Sequence, residues 1–285
     1  MNKPYNQHYV PQSILRNFEF QNDKVYSLIK VNEEELVISP INVKKLCQER
    51  GFYEKSATSS NNTQIGKINY DISAFDKLDS EIAPIFIKII QNDDLQNLDS
   101  NESSKLIEYT VYQYLRVKSV RNIGHQFWDN EEDIRDGHAE ILTDKQFITD
   151  VINILSNYQL DIIKPISGDE FVISDSPVLW DATGEGIYFP INPNICLYYH
   201  HKKYGLDNRL DSICINELQF SASVKHTIAR SESVLHKLKN NEHKDHIVNF
   251  CQSGRPSYWK CILQTRNFEE CKIRFKDLMG DFEII

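Results

Sequence analysis

The sequence predicts an α+β protein, from the order of its hydrophobic patterns. Near the N-terminus, Val25–Val31 and Glu35–Ser39 read as two strands around the polar turn Asn32-Glu33-Glu34. Apolar residues then recur every three or four positions over 72–90 and 104–128, the helical period. After a further helix near Asp144–Tyr158 the pattern changes to short strands, then returns to helix in the last third. The expected architecture is a small N-terminal β-hairpin, central buried helices, an antiparallel or mixed sheet in the second half and further C-terminal helices. All of it is expected to form one globular domain over residues 1–285.

The elements follow in order. Pro11 to Phe18 reads as a short helix, because proline suits a first helical turn. Val43–Tyr53 is ambiguous between helix and strand. Residues 54–67 are rich in Ser, Asn and Thr and are expected to form a mobile loop. In the first long helix, Ile72, Phe75, Leu78, Ile82, Ile85, Phe86 and Ile89 trace one stripe, with Pro84 a candidate kink. Glu81 lies at the edge of that stripe, either as a boundary carboxylate reaching water or as a partner for a buried cation. The helix at 104–128 is apolar almost all round, which marks a central helix. Gln113, Arg116, Arg121 and His125 interrupt it. A buried guanidinium needs an anionic partner, so Arg116 is either salt-bridged to Glu81 or Asp175 or part of an anion pocket.

Strands are expected at Leu160–Lys164, Glu170–Ile173, Gly186–Phe189 and Ile195–Tyr199. Asp175, at the end of the second of these and just before Pro177, sits either at a sheet rim or in an Asx-turn that redirects the chain. Leu210–Ala229 reads as helix, and the tail adds candidate strands at Lys260–Gln264 and Lys272–Phe275.

Composition narrows the function classes. Hydrophobic content is 40% and charged content 26%, as in an ordinary globular protein. No apolar run approaches the roughly 18 residues of a membrane span, and the first residues lack the apolar core of a signal peptide. The six cysteines form no CxxC pair, which fits reduced thiols in a cytoplasmic protein. His243 and His246 share a helical face, but without an identifiable carboxylate third ligand they make a weak zinc pair, and no metal ligand is assigned. The net charge of −9 argues against an extended duplex-coating surface and leaves only a small local cleft for nucleic acid. A P-loop, a dinucleotide-binding glycine turn, a nucleophile elbow and an HExxH motif are all absent from fitting contexts.

The most informative stretch is His8-Tyr9-Val10-Pro11-Gln12-Ser13-Ile14-Leu15-Arg16-Asn17-Phe18. It mixes His, Gln and Arg with residues that belong in a core. It resembles the HYVPQxxLRNF-like opening of the family catalogued as domain of unknown function 4238. Further matches follow in chain order. Gln113, Arg116 and Arg121 resemble the family's QxxRxxxxxR run with one residue fewer between the arginines. Ser174-Asp175-Ser176-Pro177-Val178 resembles an SDxPV segment, and Phe189–Pro193 resembles a later structural strand. Asn216 resembles an asparagine opening a helical run, with Ala222 one position early. The resemblance implies a shared site rather than a named reaction.

Three function classes stand. The first is a hydrolase, chiefly a nuclease or phosphodiesterase in bacterial stress or anti-phage defence. His8 would act as acid or base, since imidazole titrates near neutral pH. Glu81 or Asp175 would orient it or bind a divalent metal, the candidate cofactor. Arg16, Arg116 and Arg121 would hold phosphate oxygens, with Tyr9, Gln12, Gln113 and Ser174 completing the substrate contacts. Arg121 and His125 are also one residue short of an arginine–histidine ribonuclease spacing. The second class is a nucleotide or nucleic-acid sensor using the same residues without chemistry. The third is a structural partner subunit, in which the polar residues brace the core and a protein is the partner; no membrane partner is expected. If one site exists, His8, Arg16, Glu81, Gln113, Arg116 and Asp175 should converge.

Overall fold

A computed structural model describes residues 6–32, 35–53, 72–180, 186–201 and 209–247. The expected loop at 54–67 and the expected tail strands lie outside them. The fold is α+β, with antiparallel sheets.

The chain opens with β1 (Asn6–His8), then α1 (Gln12–Arg16), which starts behind Pro11 in extended conformation. The expected hairpin follows as β2 (Lys24–Lys30) and β3 (Leu36–Asn42), paired from Lys24↔Asn42 to Lys30↔Leu36. The ambiguous stretch divides into a 3-10 turn over Val43–Lys45 and β4 (Gln48–Arg50), which pairs with β1 and places His8 opposite Gln48.

The first long helix, α2 (Ile72–Asn92), runs through Pro84. Proline inside a helix costs about 3 kcal/mol. Burial of Phe75, Ile82, Ile85, Phe86 and Ile89 along one stripe offsets it, at about 1.5–3 kcal/mol for each large apolar side chain.

The second long helix is not continuous. α3 (Ser100–Leu115) begins at an Asp99–Glu102 capping box, and the chain then turns extended at Val117 before α4 (Lys118–Ile123). In an unbroken helix the Leu115 carbonyl would bond four residues ahead. Here it accepts a 2.9 Å hydrogen bond from Nε2 of buried His138. His138 belongs to α5 (Glu131–Thr143), an element the hydrophobic pattern does not announce, and α6 (Lys145–Leu155) follows where a helix was expected.

The second half builds a sheet in the order β5 (Tyr158–Ile163), β9 (Ile195–His201), β8 (Gly186–Asn192) and β7 (Leu179–Trp180). Every residue of β8 is buried. Ile187, Phe189 and Ile191 join the core formed with α2 and α3, while Tyr188 joins the core under α7 (Ser212–Ala222). Alternation along the strand thus places the sheet between two helical layers. Pro190 sits where the β8–β9 register shifts, a position that tolerates a missing N–H.

Two expected elements differ. The strand at Glu170–Ile173 shortens to β6 (Ile173–Ser174), because the Val172 amide donates to the Asn216 side chain on α7. The helix over 210–229 ends at Ala222, and β10 (His226–Ala229) follows, pairing between β2 and β6. α8 (Glu232–Lys239) packs on that sheet through Val234, Leu235 and Leu238. No helix among the described residues is long and apolar enough to cross a membrane.

Candidate functional site

A cleft of about 620 Å³ opens between the N-terminal segment and α2. One wall is Asn6, Gln7, His8, Pro11, Gln12, Ser13 and Arg16; the other is Phe75, Asp76, Asp79, Ser80 and Ala83. Local geometry explains both walls. Gln12 and Arg16 are four apart on α1 and share a face, and the Arg16 guanidinium donates to Gln12 Oε1 at 2.9 Å. Its Nε donates to Asp23 Oδ1 at 3.0 Å. His8 is half-buried, with Nε2 3.5 Å from Gln12 Nε2. Burial lowers the His8 pKa below its usual 6.5, while a backbone hydrogen bond to Lys44 and the Asp79 carboxylate pull the other way. The imidazole is therefore largely neutral at neutral pH.

The wall is bolted from behind. Tyr53 N donates to Gln7 Oε1 at 2.6 Å, and the Tyr53 hydroxyl donates to the His8 carbonyl at 3.1 Å. Gln113 Nε2 donates to the Tyr9 carbonyl at 3.0 Å. Tyr9 itself turns inward, its ring 4.9 Å from that of Phe52 and its phenol pKa raised by burial.

Gln113 also connects this wall to Arg116, which is fully buried. Arg116 Nε and Nη2 donate to Gln113 Oε1 at 2.9 and 2.6 Å, and Nη2 also donates to the Tyr109 hydroxyl at 3.0 Å and to Asp79 Oδ1 at 2.7 Å. Burial works against the cation, but Asp79 with Tyr109 and Tyr53 outweighs it, so the Arg116 pKa is raised. Asp79 thus joins the buried arginine to the cleft: one oxygen holds Arg116 and the side chain stays 23% exposed among the lining residues.

The structure therefore brings His8, Gln12 and Arg16 together on one wall, with Gln113 and Arg116 behind it. It does not bring the other expected residues to this cleft. Glu81 faces the lysines, 3.1 Å from Lys105 and 3.8 Å from Lys77. Asp175 is fully buried, and its carboxylate accepts from the backbone amides of Val224, Lys225 and His226 at 2.7–3.0 Å. That is a brace for the turn into β10; burial raises its pKa, and the amides partly oppose the rise. Ser174 donates through its amide and hydroxyl to Gln219 Oε1 on α7. Arg121 belongs to a separate cluster: it donates to Glu49 at 3.1 Å, lies 3.7 Å over the Phe52 ring, and has its pKa lowered to about 10 by burial.

Asp79 and Asp76 are the cleft carboxylates that the sequence reading missed. The signal for Asp79 was present. It lies four residues after Phe75 and three before Ile82, inside the apolar stripe where a carboxylate has no place unless it is paired.

Chemically, the cleft offers a neutral imidazole, two carboxylates, one exposed guanidinium and several amide and hydroxyl groups. It can exchange protons with a bound ligand and orient a small polar group. No curated protein and no solved structure matches the chain. The family model described as "Protein of unknown function (DUF4238)" matches residues 6–233, which include the cleft, the buried arginine and the Asp175 brace. The chain belongs to that family.

Proposed function

We propose that the protein is a hydrolase acting on phosphodiesters, a nuclease or phosphodiesterase, with its chemistry in the cleft between α1 and α2. The observation that carries this reading is the meeting of a neutral imidazole, His8, with Arg16 and Gln12 beside it and Asp79 on the facing wall. His8 takes the proton of the attacking water as its oxygen bonds to phosphorus and the ester P–O bond breaks, and the imidazolium returns that proton to the leaving oxygen. Arg16 and Gln12 hold the phosphate oxygens. Asp79 favours the imidazolium that forms. Arg116, Gln113 and Tyr109 keep Asp79 in place and do not touch the substrate.

The test is hydrolysis of single-stranded RNA, single-stranded DNA and cyclic nucleotides by purified protein, with Mg²⁺, Mn²⁺ or Zn²⁺ and with chelator. Loss of a general base removes roughly 10²–10⁴ of the rate, so His8→Ala should lower turnover by at least about a hundredfold while the melting temperature stays close to wild type. Turnover that survives His8→Ala defeats the assignment. Phage plaque counts on bacteria expressing wild-type or His8→Ala protein test the proposed stress or defence setting.

A second reading has its own observation. Arg116 is closed off by Asp79, Gln113 and Tyr109, as in a core brace. If phosphodiesters bind without turnover, the cleft is a nucleotide or nucleic-acid sensor resting on that brace. If none binds, a structural role beside a protein partner takes its place.

A further inference from the structure

Away from the cleft, we infer that Asp211, Cys214 and His246 form a binding site for a single transition-metal ion of the zinc type. One donor atom from each residue lies within 4.8 Å of the other two. This inference does not depend on the reading of the cleft.

Two of the residues are set by the start of α7. Asp211 is its N-cap, and Oδ1 accepts from the Cys214 amide at 2.9 Å. That capping bond sets the first turn, in which the Cys214 sulfur lies within 4.8 Å of a carboxylate oxygen of Asp211. The third comes from the segment after α8: His246 Nε2 lies 2.7 Å from Asp211 Oδ2. Capping and a surface Asp–His pair would account for Asp211 and His246. Cys214 also packs in the core under α7, so what points to an ion is the convergence of the three donor atoms.

The donor set selects the ion. A thiolate, an imidazole and a carboxylate suit Zn²⁺, whereas Mg²⁺ and Ca²⁺ prefer all-oxygen cages. Zinc bonds of about 2.0–2.3 Å place tetrahedral donors roughly 3.3–3.8 Å apart. The sulfur therefore has to close in by about an ångström or less, and the Asp–His contact has to open slightly as the ion replaces the proton between them. Cys214 is fully buried in the first turn of an 11-residue helix, so its sulfur would lose its proton only as the ion binds. Its burial also argues against a nucleophile, because no substrate can reach the sulfur. Asp211 and His246 are partly exposed, at 24% and 37%, so an ion can enter from their side. His243, one turn before His246, is not part of the convergent group. The three protein ligands leave a fourth position for water.

The site would tie the segment after α8 to the helix that braces Val172 and Ser174 through Asn216 and Gln219. It would thus reinforce the packing of α7 on the sheet.

The experiment titrates chelator-stripped, reduced full-length protein with Zn²⁺ by calorimetry, and with Co²⁺ by absorption spectroscopy. One equivalent of Zn²⁺ is expected to bind with submicromolar Kd and to raise the melting temperature, because an ion that binds only the native state stabilises it. The Co²⁺ complex should show a thiolate-to-metal charge-transfer band. His246→Ala and Cys214→Ser should each weaken Zn²⁺ binding by at least about a hundredfold, and His243→Ala should leave it unchanged. His246 is partly exposed, so His246→Ala keeps the test decisive if Cys214→Ser fails to fold. Wild-type protein that binds no stoichiometric Zn²⁺, affinity that survives His246→Ala, a Co²⁺ spectrum without the thiolate band, or a loss at His243→Ala equal to that at His246→Ala would each overturn the assignment.

Discussion

Replacing Asp79 by Asn should destabilise the protein far more than replacing Glu81 by Gln, although the two carboxylates lie two residues apart on one helix. Asp79→Asn removes the counter-charge from an arginine with no exposed surface while keeping side-chain size. Stripping one partner from a buried ion pair costs about 3–5 kcal/mol. Water reaches Asp79, whose side chain is 23% exposed, so the expected loss is at the lower end, about 3 kcal/mol. Glu81 pairs with Lys77 and Lys105 at the surface, where such pairs contribute about 0–1 kcal/mol. Glu81→Gln should therefore change stability by about 0.5 kcal/mol or less. Urea unfolding at pH 7, followed by circular dichroism, measures both as a shift in midpoint at constant m-value. A double-mutant cycle isolates the pair: in an Arg116→Met background, Asp79→Asn should cost less than about 1 kcal/mol. The reasoning fails if the two single variants lose equal stability, or if Asp79→Asn costs the same with and without Arg116.

Two more predictions concern pH and salt. Burial lowers the pKa of His138 and of His226 from 6.5 to about 4, so below pH 6.5 the unfolded chain takes up protons that the folded chain refuses. Their contribution is fully present above pH 6.5 and is lost as the pH falls toward 4, with a slope of about 1.4 kcal/mol per pH unit for each histidine. The raised pKa of Asp175 acts oppositely at the acid end, so urea midpoints are best compared between pH 5 and 6.5, where His8 and His243, also lowered by burial, add to the slope; His226→Gln should remove its own share, up to about 1.4 kcal/mol per pH unit, and flat wild-type stability there would contradict the burial argument. For nucleic acid, Arg16 is the arginine lining the cleft and the net charge is −9, so log Kd against log salt should have a slope near 1 in magnitude, from about 0.7–0.9 per phosphate neutralised. Fluorescence anisotropy with a single-stranded oligonucleotide measures it, and a slope on the order of 8 would mean a broad basic surface instead of this cleft.

The α+β class, the N-terminal hairpin, the stripe of α2 and the HYVPQ-like wall are all legible in the sequence, because each depends on local periodicity. Apolar spacing repeats within one turn or one strand, and a polar residue that breaks it is visible where it stands. Gln12 and Arg16 are neighbours for the same reason, one turn of α1 apart, and His8 stands just before them at the end of β1. Tertiary structure decided which partners meet. Arg116 demands an anion, and several carboxylates satisfy that demand on paper. Asp79 wins because α2 and α3 pack with that face inward, whereas Glu81, rotated about 200° further round the helix at 100° per residue, meets lysines. α3 stops at Leu115 because His138, from another helix, takes its carbonyl. The chain after Ala222 becomes strand because Asp175 captures amides about fifty residues later. Propensity and period act over a few residues. A buried hydrogen bond is decided only when packed layers bring distant groups within about 3 Å and exclude the water that would otherwise serve them.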